Sequence, residues 1–137
     1  MAVYLSNGVV LTVNAVDLSS LVSQISINRS FDELETTAMG DSGHRYIKGL
    51  EASSITIDFF NDSATSKTLQ TLNDAAVFGQ NVTVTVKQTS AATSPTNPLY
   101  TMTCLINNTT PINGAVGDIS TQSVTWNVSG TIAITTA

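Results

Sequence analysis

The sequence predicts a mainly β domain with one α-helix. Apolar and polar side chains alternate with a two-residue period through most of the 137 residues, which is typical of half-buried strands. Apolar residues make up 42% of the chain, and many are β-branched, so the chain can bury a core that offsets the entropy of ordering it. This length suits one domain with a sizeable core and is too short for two. We therefore treat residues 1–137 as a single domain.

The strands are predicted from the alternating runs. The clearest is Val82–Val86, where valine occupies every second position. The other predicted strands are a short leading one at Val3–Leu5, then Val9–Val13, Leu21–Arg29, Ser54–Phe60, Leu99–Leu105 and Ser120–Ile134. Gly130 is expected to mark a bulge or bend inside the last of them, because glycine lacks the side chain that packs in a strand.

One segment departs from this rhythm and predicts the helix. Within 64–78, apolar residues recur at helical spacing. These residues are Leu69, Leu72 and Ala76. Asp62 or Ser63 can cap the first amides, and Gly79 suits the left-handed conformation that ends a helix. A helix of this length would cover one sheet or one end of a barrel.

Two segments show neither pattern. Residues 31–49 are predicted to form a long loop that contains three glycines, four carboxylates and one histidine. A loop of this length in a small domain is usually functional or is ordered by a partner. Residues 90–98 contain Pro95 and Pro98 between two predicted strands, and they indicate a polar hairpin loop.

Charge excludes several functions. Five Lys and Arg against ten Asp and Glu give a net charge of -5, and five scattered cations do not make a phosphate-binding groove. Ser and Thr account for 37 residues, so the surface is rich in hydroxyl groups and poor in charge. The first residues lack the basic and apolar regions of a signal peptide, and no apolar run approaches the roughly 18 residues of a membrane span. We expect a soluble protein with no membrane partner.

Metal and disulfide chemistry are not expected. Cys104 is the single cysteine, which excludes a disulfide within the chain. One cysteine and one histidine supply too few ligands for a structural zinc site. Cys104 is interpreted as a small core residue, and no cofactor is predicted.

No catalytic constellation emerges from the sequence. Asp41, Ser42 and His44 are too close in sequence to form an oriented hydrolase triad, and no Gly-x-Ser-x-Gly turn is present. Glu33 and Glu35 would point the same way on an extended segment, but their spacing fits no calcium loop. They are interpreted as an acidic stripe, and the protein is predicted not to be an enzyme.

A single tryptophan stands among the alternating residues of the last predicted strand. Trp126 shares its face with Val124 and Val128, so it is interpreted as a core or interface anchor. No basic residues lie near it in the sequence, and it is therefore not expected to stack on nucleic acid bases.

Two blocks of sequence carry a family likeness. The first block comprises Val16–Ser19, Asp32–Asp41, Tyr46, Gly49–Leu50 and Ile55–Phe60. The second comprises Asn97–Tyr100, Gly117–Asp118, Ser123–Trp126 and Ser129–Gly130. Together they span about residues 16–134, and the sequence resembles the tail tube (major tail) proteins of long-tailed bacteriophages. The predicted helix falls between the blocks, where that family carries one.

The resemblance implies two packed antiparallel sheets, as a sandwich or barrel, with one flanking helix. It also implies hexameric rings that stack into a hollow virion tail tube, through which the genome leaves the head. The implied partners are further copies of the chain and the tape-measure, tail-tip and tail-terminator proteins. Synthesis in the host cytoplasm is expected, and neither a catalytic residue nor a cofactor comes with the likeness.

The long loop is the candidate for contact with a neighbouring subunit or ring. Its contact residues are predicted to be Glu33, Glu35, Met39, Asp41, Arg45, Tyr46 and Lys48. Met39 and Tyr46 would serve as apolar anchors, and Arg45 and Lys48 as charge partners for carboxylates of the same loop or of another copy.

Carboxylates facing the bore would repel DNA phosphates, so that DNA passes without specific binding. Asp58 and Asp118 are the candidates.

The alternatives to a tail tube protein are another virion β-protein, namely a head-tail connector, a tail terminator or a capsid decoration protein, and then an adhesive or carbohydrate-binding sandwich module. These classes differ in assembly, since a tube subunit forms filaments, a connector forms a closed ring and a lectin binds glycans.

Overall fold

The computed structural model describes residues 8–136, and within them the chain forms ten strands and one α-helix. The elements are β1 (Val10–Val13), β2 (Val16–Asp17), β3 (Val22–Asn28), β4 (Phe31–Glu35), β5 (Tyr46–Glu51), β6 (Ser54–Phe60), α1 (Thr68–Asn73), β7 (Asn81–Lys87), β8 (Leu99–Leu105), β9 (Thr121–Asn127) and β10 (Ala133–Thr135). A short 3-10 turn at Ser19–Leu21 precedes β3. The strand predicted at Val3–Leu5 lies outside the described residues.

The predicted fold class of packed antiparallel sheets is confirmed. One sheet has five strands in the order β10-β8-β7-β1-β2, and the other has three in the order β3-β6-β9. A separate two-stranded ribbon is formed by β4 and β5. All pairings are antiparallel. The polar segment 90–98 joins β7 to β8 as a hairpin loop, as predicted.

The core lies between the two large sheets and is built by the alternation seen in the sequence. On β6, Ile55, Ile57 and Phe59 are fully buried, while the intervening polar residues face outward. The valines of β7 bury the inner face of the five-stranded sheet in the same way. Trp126 of β9 completes the core and packs near Phe59, with 6.3 Å between ring centroids.

The helix is much shorter than predicted. It covers Thr68–Asn73 and not 64–78. Ser66 has a positive φ of 59°, and Asp74 is extended with ψ at 133°, so neither flank continues the helix. The Asp74 carbonyl then accepts hydrogen bonds from the amides of Val77 and Phe78, which forms a turn. Leu72 and Val77 are still buried, so the segment covers the core without a long helix.

The last predicted strand is divided between the sheets. β9 ends at Asn127 in the three-stranded sheet, and β10 pairs with β8 in the five-stranded sheet. Gly130 adopts a φ of 94°, which residues other than glycine rarely adopt, and the chain turns there between the sheets. Gly130 therefore marks a change of sheet and not a bulge in one continuous strand.

Candidate assembly surfaces

The segment predicted as a long loop is a protruding β-hairpin. β3 and β6 pair along the three-stranded sheet up to Asn28 and Ser54, and β4 and β5 continue the pairing beyond it. The Ala52 amide donates to the Ser30 carbonyl at 2.8 Å and so joins the two ladders. We call residues 31–51 the arm. Its strands pair with each other and with no other strand of residues 8–136.

A tight turn closes the arm at its tip. The Asp41 amide donates to the Ala38 carbonyl at 3.1 Å, and the Asp41 carboxylate accepts a hydrogen bond from the Ala38 amide at 2.8 Å. Gly40 occupies the turn position that requires positive φ, at 91°. Met39 stands at the apex with its side chain 104% exposed. The turn thus presents Met39 to solvent at the tip of the arm.

The predicted contact residues lie together on the arm, and most share one face. Glu33 lies opposite Lys48, and Glu35 lies opposite Tyr46. The expectation that the two glutamates share a face is therefore confirmed, because residues two apart on a strand point to the same side. The Lys48 ammonium lies 4.3 Å from the centroid of the Phe31 ring. This face combines aromatic rings with both signs of charge.

Charged side chains near the tip pair within the arm. The His44 Nδ1 atom lies 2.6 Å from a Glu35 carboxylate oxygen, and an Arg45 guanidinium nitrogen lies 3.7 Å from an Asp41 oxygen. His44 thus contacts Glu35, and it forms no triad with Asp41 and Ser42. The pairs are exposed, so each contributes little to stability, but they order the side chains that a partner would meet.

The second face of the arm is apolar and exposed. Leu34 and Ile47 lie directly opposite each other, and more than half of the Ile47 side chain is open to solvent. Leu50, at an irregularity of the ladder, is 81% exposed. An isolated two-stranded ribbon is marginally stable in water, and apolar residues on such a ribbon favour a covering partner.

Close packing of the two arm strands depends on Gly49. A Cβ atom at this position would lie 2.9 Å from the Asp32 carbonyl oxygen. We expect Gly49→Ala to destabilise the arm by about 1–3 kcal/mol, the usual cost of overpacking. Amide hydrogen exchange of β4 and β5 measures this. Gly43→Ala is the control, because nothing lies within 4 Å of a Cβ there. Equal exchange rates in the two variants would contradict the prediction.

Glu51 fastens the base of the arm to the body. Its carboxylate accepts hydrogen bonds from the Ser53 hydroxyl at 2.6 Å and from the Ile132 amide at 3.1 Å. The Ser53 hydroxyl is the main cause of a lowered pKa at Glu51. Desolvation opposes the shift, while the Ile132 amide and the charges of Arg29 and Lys48 add to it.

We expect the destabilisation caused by Glu51→Gln to depend on pH. A carboxylate whose pKa is lowered by folding contributes stability above its ordinary pKa, 4.5 for this group, and loses it as pH falls through the folded value. The variant should therefore be less stable than wild type at about pH 7, and the difference should shrink as pH falls below 4.5. Urea unfolding over this pH range measures the difference, with Glu33→Gln as control. A difference that does not change with pH would contradict it.

The outer face of the three-stranded sheet is mostly polar and almost uncharged, with Phe60 exposed at one end opposite Thr121. Nine side chains form three rows across β3, β6 and β9. The rows are Gln24–Asp58–Ser123, Ser26–Thr56–Thr125 and Asn28–Ser54–Asn127. We call this surface the polar face. Asp58 is its single charge, at the centre of one row, and the face carries no cation. The outer face of the five-stranded sheet, by contrast, carries Lys87.

A loop that we call the strap, residues 107–120, crosses from β8 to β9 and lies along the β9 edge. The Asn108 side-chain amide donates to the Thr125 carbonyl at 3.4 Å, and that of Asn113 donates to the Thr121 carbonyl at 2.9 Å. Within the subunit, these contacts satisfy carbonyls that an edge strand otherwise offers to another chain. Asp118 is exposed on the strap, so the structure separates it from Asp58.

Three apolar side chains of the strap are open to solvent, and the sequence analysis did not single them out. They are Ile112 at 93%, Val116 at 106% and Ile119 at 73% exposure. Two strap glycines, Gly114 and Gly117, have positive φ and give the segment its turns. The sequence does contain a feature that could have predicted this surface, namely aliphatic residues in a glycine-containing loop between two strands.

Two further residues of the sequence analysis belong to the core. Trp126 is fully buried, and its indole N–H donates to the Asn108 carbonyl at 3.3 Å. It is therefore a core anchor within the subunit. Burial raises the pKa of the Cys104 thiol to about 12, which keeps it protonated and unreactive in the folded chain.

The described residues contain neither a candidate metal site nor a helix that could span a membrane. Within 8–136, no group of three or more His, Cys, Asp or Glu side chains is arranged to hold a metal ion. No helix in this part of the chain has the length and apolar character needed to cross a membrane.

Comparison with known proteins rests on structure. No family model and no curated protein matches the sequence. A chain of the virion of a native gene transfer agent particle matches with a TM-score of 0.75 and 9% identity, over 97% of this chain and 99% of that chain. The fold is that of a phage tail-type protein. The resemblance noted in the sequence is confirmed at this level.

Two further structures share the tail-type fold. A chain from the sheath-tube complex of an extracellular contractile injection system has a TM-score of 0.66 and 11% identity, over 98% of this chain and 93% of that chain. A chain from the baseplate of the anti-feeding prophage has a TM-score of 0.56 and 10% identity, over 93% of this chain and 91% of that chain. All three neighbours are parts of multi-subunit particles.

Proposed function

We propose that this chain is a structural, non-catalytic tail protein of a virion, and that it polymerises as stacked hexameric rings into a hollow tail tube. The observation that carries the proposal is the arm, which holds exposed apolar residues on a ribbon that residues 8–136 leave uncovered. A monomer gains nothing from such a ribbon, whereas a polymer buries it against the next copy. The tail-type fold supports the same assignment.

Ring closure follows from the two edges of the three-stranded sheet. β3 and β9 each pair with β6 on one side only. Joining the β3 edge of one copy to the β9 edge of the next is a heterologous contact, which generates a ring when the rotation between copies closes. The strands carry little charge, so their edges are not defended by repulsion. In this arrangement the arms project from the ring and contact neighbouring subunits or the next ring.

The polar face is then assigned to the bore. Hydroxyl and amide side chains with one carboxylate offer no cation to DNA phosphates, so passage releases no counterions and gains no binding energy. Asp58, repeated around the ring, would repel the phosphates. The conduit is thus neutral to acidic. The tape-measure, tail-tip and tail-terminator proteins are its further proposed partners.

Negative-stain electron microscopy of the concentrated, purified protein tests the proposal. Stacked rings with an open bore are expected, and sixfold symmetry should appear in end views. Closed single rings would favour a connector or terminator, and small oligomers that bind capsid shells would favour a decoration protein. A monomer that binds glycans would favour an adhesive module. Each of these three results would contradict the tube assignment.

A further inference from the structure

One flank of the sandwich is open at the β3 edge. A cavity of about 420 Å³ lies there between β3 and the five-stranded sheet, and we call it the flank groove. Its apolar lining consists of Val9, Val22, Ile25, Ile27, Val86 and Tyr100. All but Val86 are only partly buried, so residues 8–136 leave apolar surface uncovered along this edge.

Two cations, Arg29 and Lys87, line the groove and suit it to an acidic guest, and Arg29 is the one that continues the apolar row of β3. Arg29 lines it and follows Ile25 and Ile27 at two-residue steps, which places all three on the same side of the chain. Arg29 forms no ion pair within residues 8–136. Its charge acts on the Glu51 carboxylate, but the two groups are not within salt-bridge distance. A carboxylate from outside the subunit could therefore pair with it.

The strap presents the complementary chemistry on the opposite flank. Val116, Asp118 and Ile119 place a carboxylate between two exposed aliphatic side chains. Asp118 forms no ion pair with any described residue, and its side chain accepts no hydrogen bond there. The hydrogen bonds of Asn108 and Asn113 hold the strap against the β9 edge. This is the edge that the proposed ring brings to the β3 edge of the next copy.

We propose that the strap of one subunit occupies the flank groove of the next. Val116 and Ile119 then cover the apolar lining, and Asp118 pairs with Arg29. The inference rests on the proposed ring, because head-to-tail joining of β3 and β9 places strap and groove on the same interface. It gives Asp118 a role in subunit contact, whereas Asp58 remains the carboxylate of the bore. Burial of the pair between copies makes it stronger than the exposed pairs of the arm.

Cysteine cross-linking tests the contact directly. Ser23 is exposed and lines the groove, so the double variant Ser23→Cys, Val116→Cys is expected to form disulfide-linked multimers under mild oxidation. Cys104 is buried and does not compete. The matched control pairs Val116→Cys with Thr83→Cys, because Thr83 is exposed on the outer face of the five-stranded sheet. If the Ser23→Cys, Val116→Cys variant gives only monomers, the inference is overturned. Occupation of the groove by residues 1–7 of the same chain would give that result.

A charge exchange tests the ion pair. Asp118→Arg and Arg29→Asp are each expected to lower the assembled fraction about tenfold, and the two together to recover it to within about threefold of wild type. Ala91→Arg adds the same charge at an exposed position of the β7–β8 loop, outside the strap and the groove, and should leave assembly unchanged. Circular dichroism confirms that each variant folds. Failure of the double variant to recover, with its fold intact, would overturn the pairing.

The two proposals can fail separately. Tubes formed by the double cysteine variant without the cross-link between positions 23 and 116 would overturn the strap contact and leave the tube assignment standing. Cross-linked closed rings without tubes would support the strap contact and contradict the tube. The microscopy and the cross-linking are therefore run on the same preparations.

Discussion

A chain with a shortened arm is expected to fold normally and to form no tubes. Glu35 and Tyr46 lie opposite each other, so residues 36–45 can be replaced by a two-residue Asn-Gly turn without changing the register. The replacement removes the Met39 apex and leaves the β4–β5 ladder in place. No side chain in 36–45 is buried, so the thermal midpoint should shift by only a few degrees.

Electron microscopy and circular dichroism of the shortened chain separate assembly from folding. The smaller deletion of Asp41–His44 is expected to give the same folded, unassembled protein. Met39→Ser keeps the length of the arm and tests the apolar apex alone. Ala91→Gln, at an exposed position of the β7–β8 loop, is the control and should leave assembly intact. Normal tubes from the shortened chain would contradict the role of the arm.

Trp126→Ala is expected to lower the free energy of unfolding by about 3–5 kcal/mol, the usual cost of removing a buried aromatic side chain. The side chain is fully buried between the sheets and lies beside Phe59. Its loss opens a cavity and leaves the Asn108 carbonyl without the indole donor. Because a destabilisation of this size approaches the whole stability of many small domains, the variant should be partly unfolded at physiological temperature.

Urea unfolding followed by circular dichroism measures the effect, since Trp126 is the single tryptophan and its fluorescence is lost in the variant. Trp126→Phe keeps an aromatic ring and should cost less. Asn127→Ala changes the neighbouring exposed residue and should cost little. A small loss for Trp126→Ala would show that the core is assembled around other side chains.

The sequence predicts those parts of this fold where one side of a strand faces the core and the other faces water. β6 is an example, because Ile55, Ile57 and Phe59 are buried while Thr56 and Asp58 are not. The arm lacks this contrast. All five residues of β4 are exposed, so no inside–outside alternation marks it as a strand. Its pairing comes from continuation of the β3–β6 ladder, which is a property of the tertiary fold.

The single helix of residues 8–136 lies where the sequence predicts it, but the predicted helix is too long. The spacing of Leu69, Leu72 and Ala76 is helical, but only Leu72 is fully buried and Ala76 is exposed. Backbone conformations at Ser66 and Asp74 end the helix early, and they are set by local hydrogen bonds that apolar spacing does not report. The predicted contact residues lie together on the arm because they are close in sequence. The flank groove depends on the spacing between two sheets, and the order of apolar and polar residues along the chain does not predict that spacing.

The Asn108 and Asn113 amides on the β9 edge have a consequence for the kinetics of growth. Two edge carbonyls are already satisfied in the free subunit, so a first encounter between subunits must exchange these hydrogen bonds before it gains new ones. Starting a ring is therefore slow, because the first two subunits exchange these hydrogen bonds for a single interface, whereas a subunit that joins an existing ring also gains contacts with that ring. Filament formation should show a lag that preformed seeds abolish.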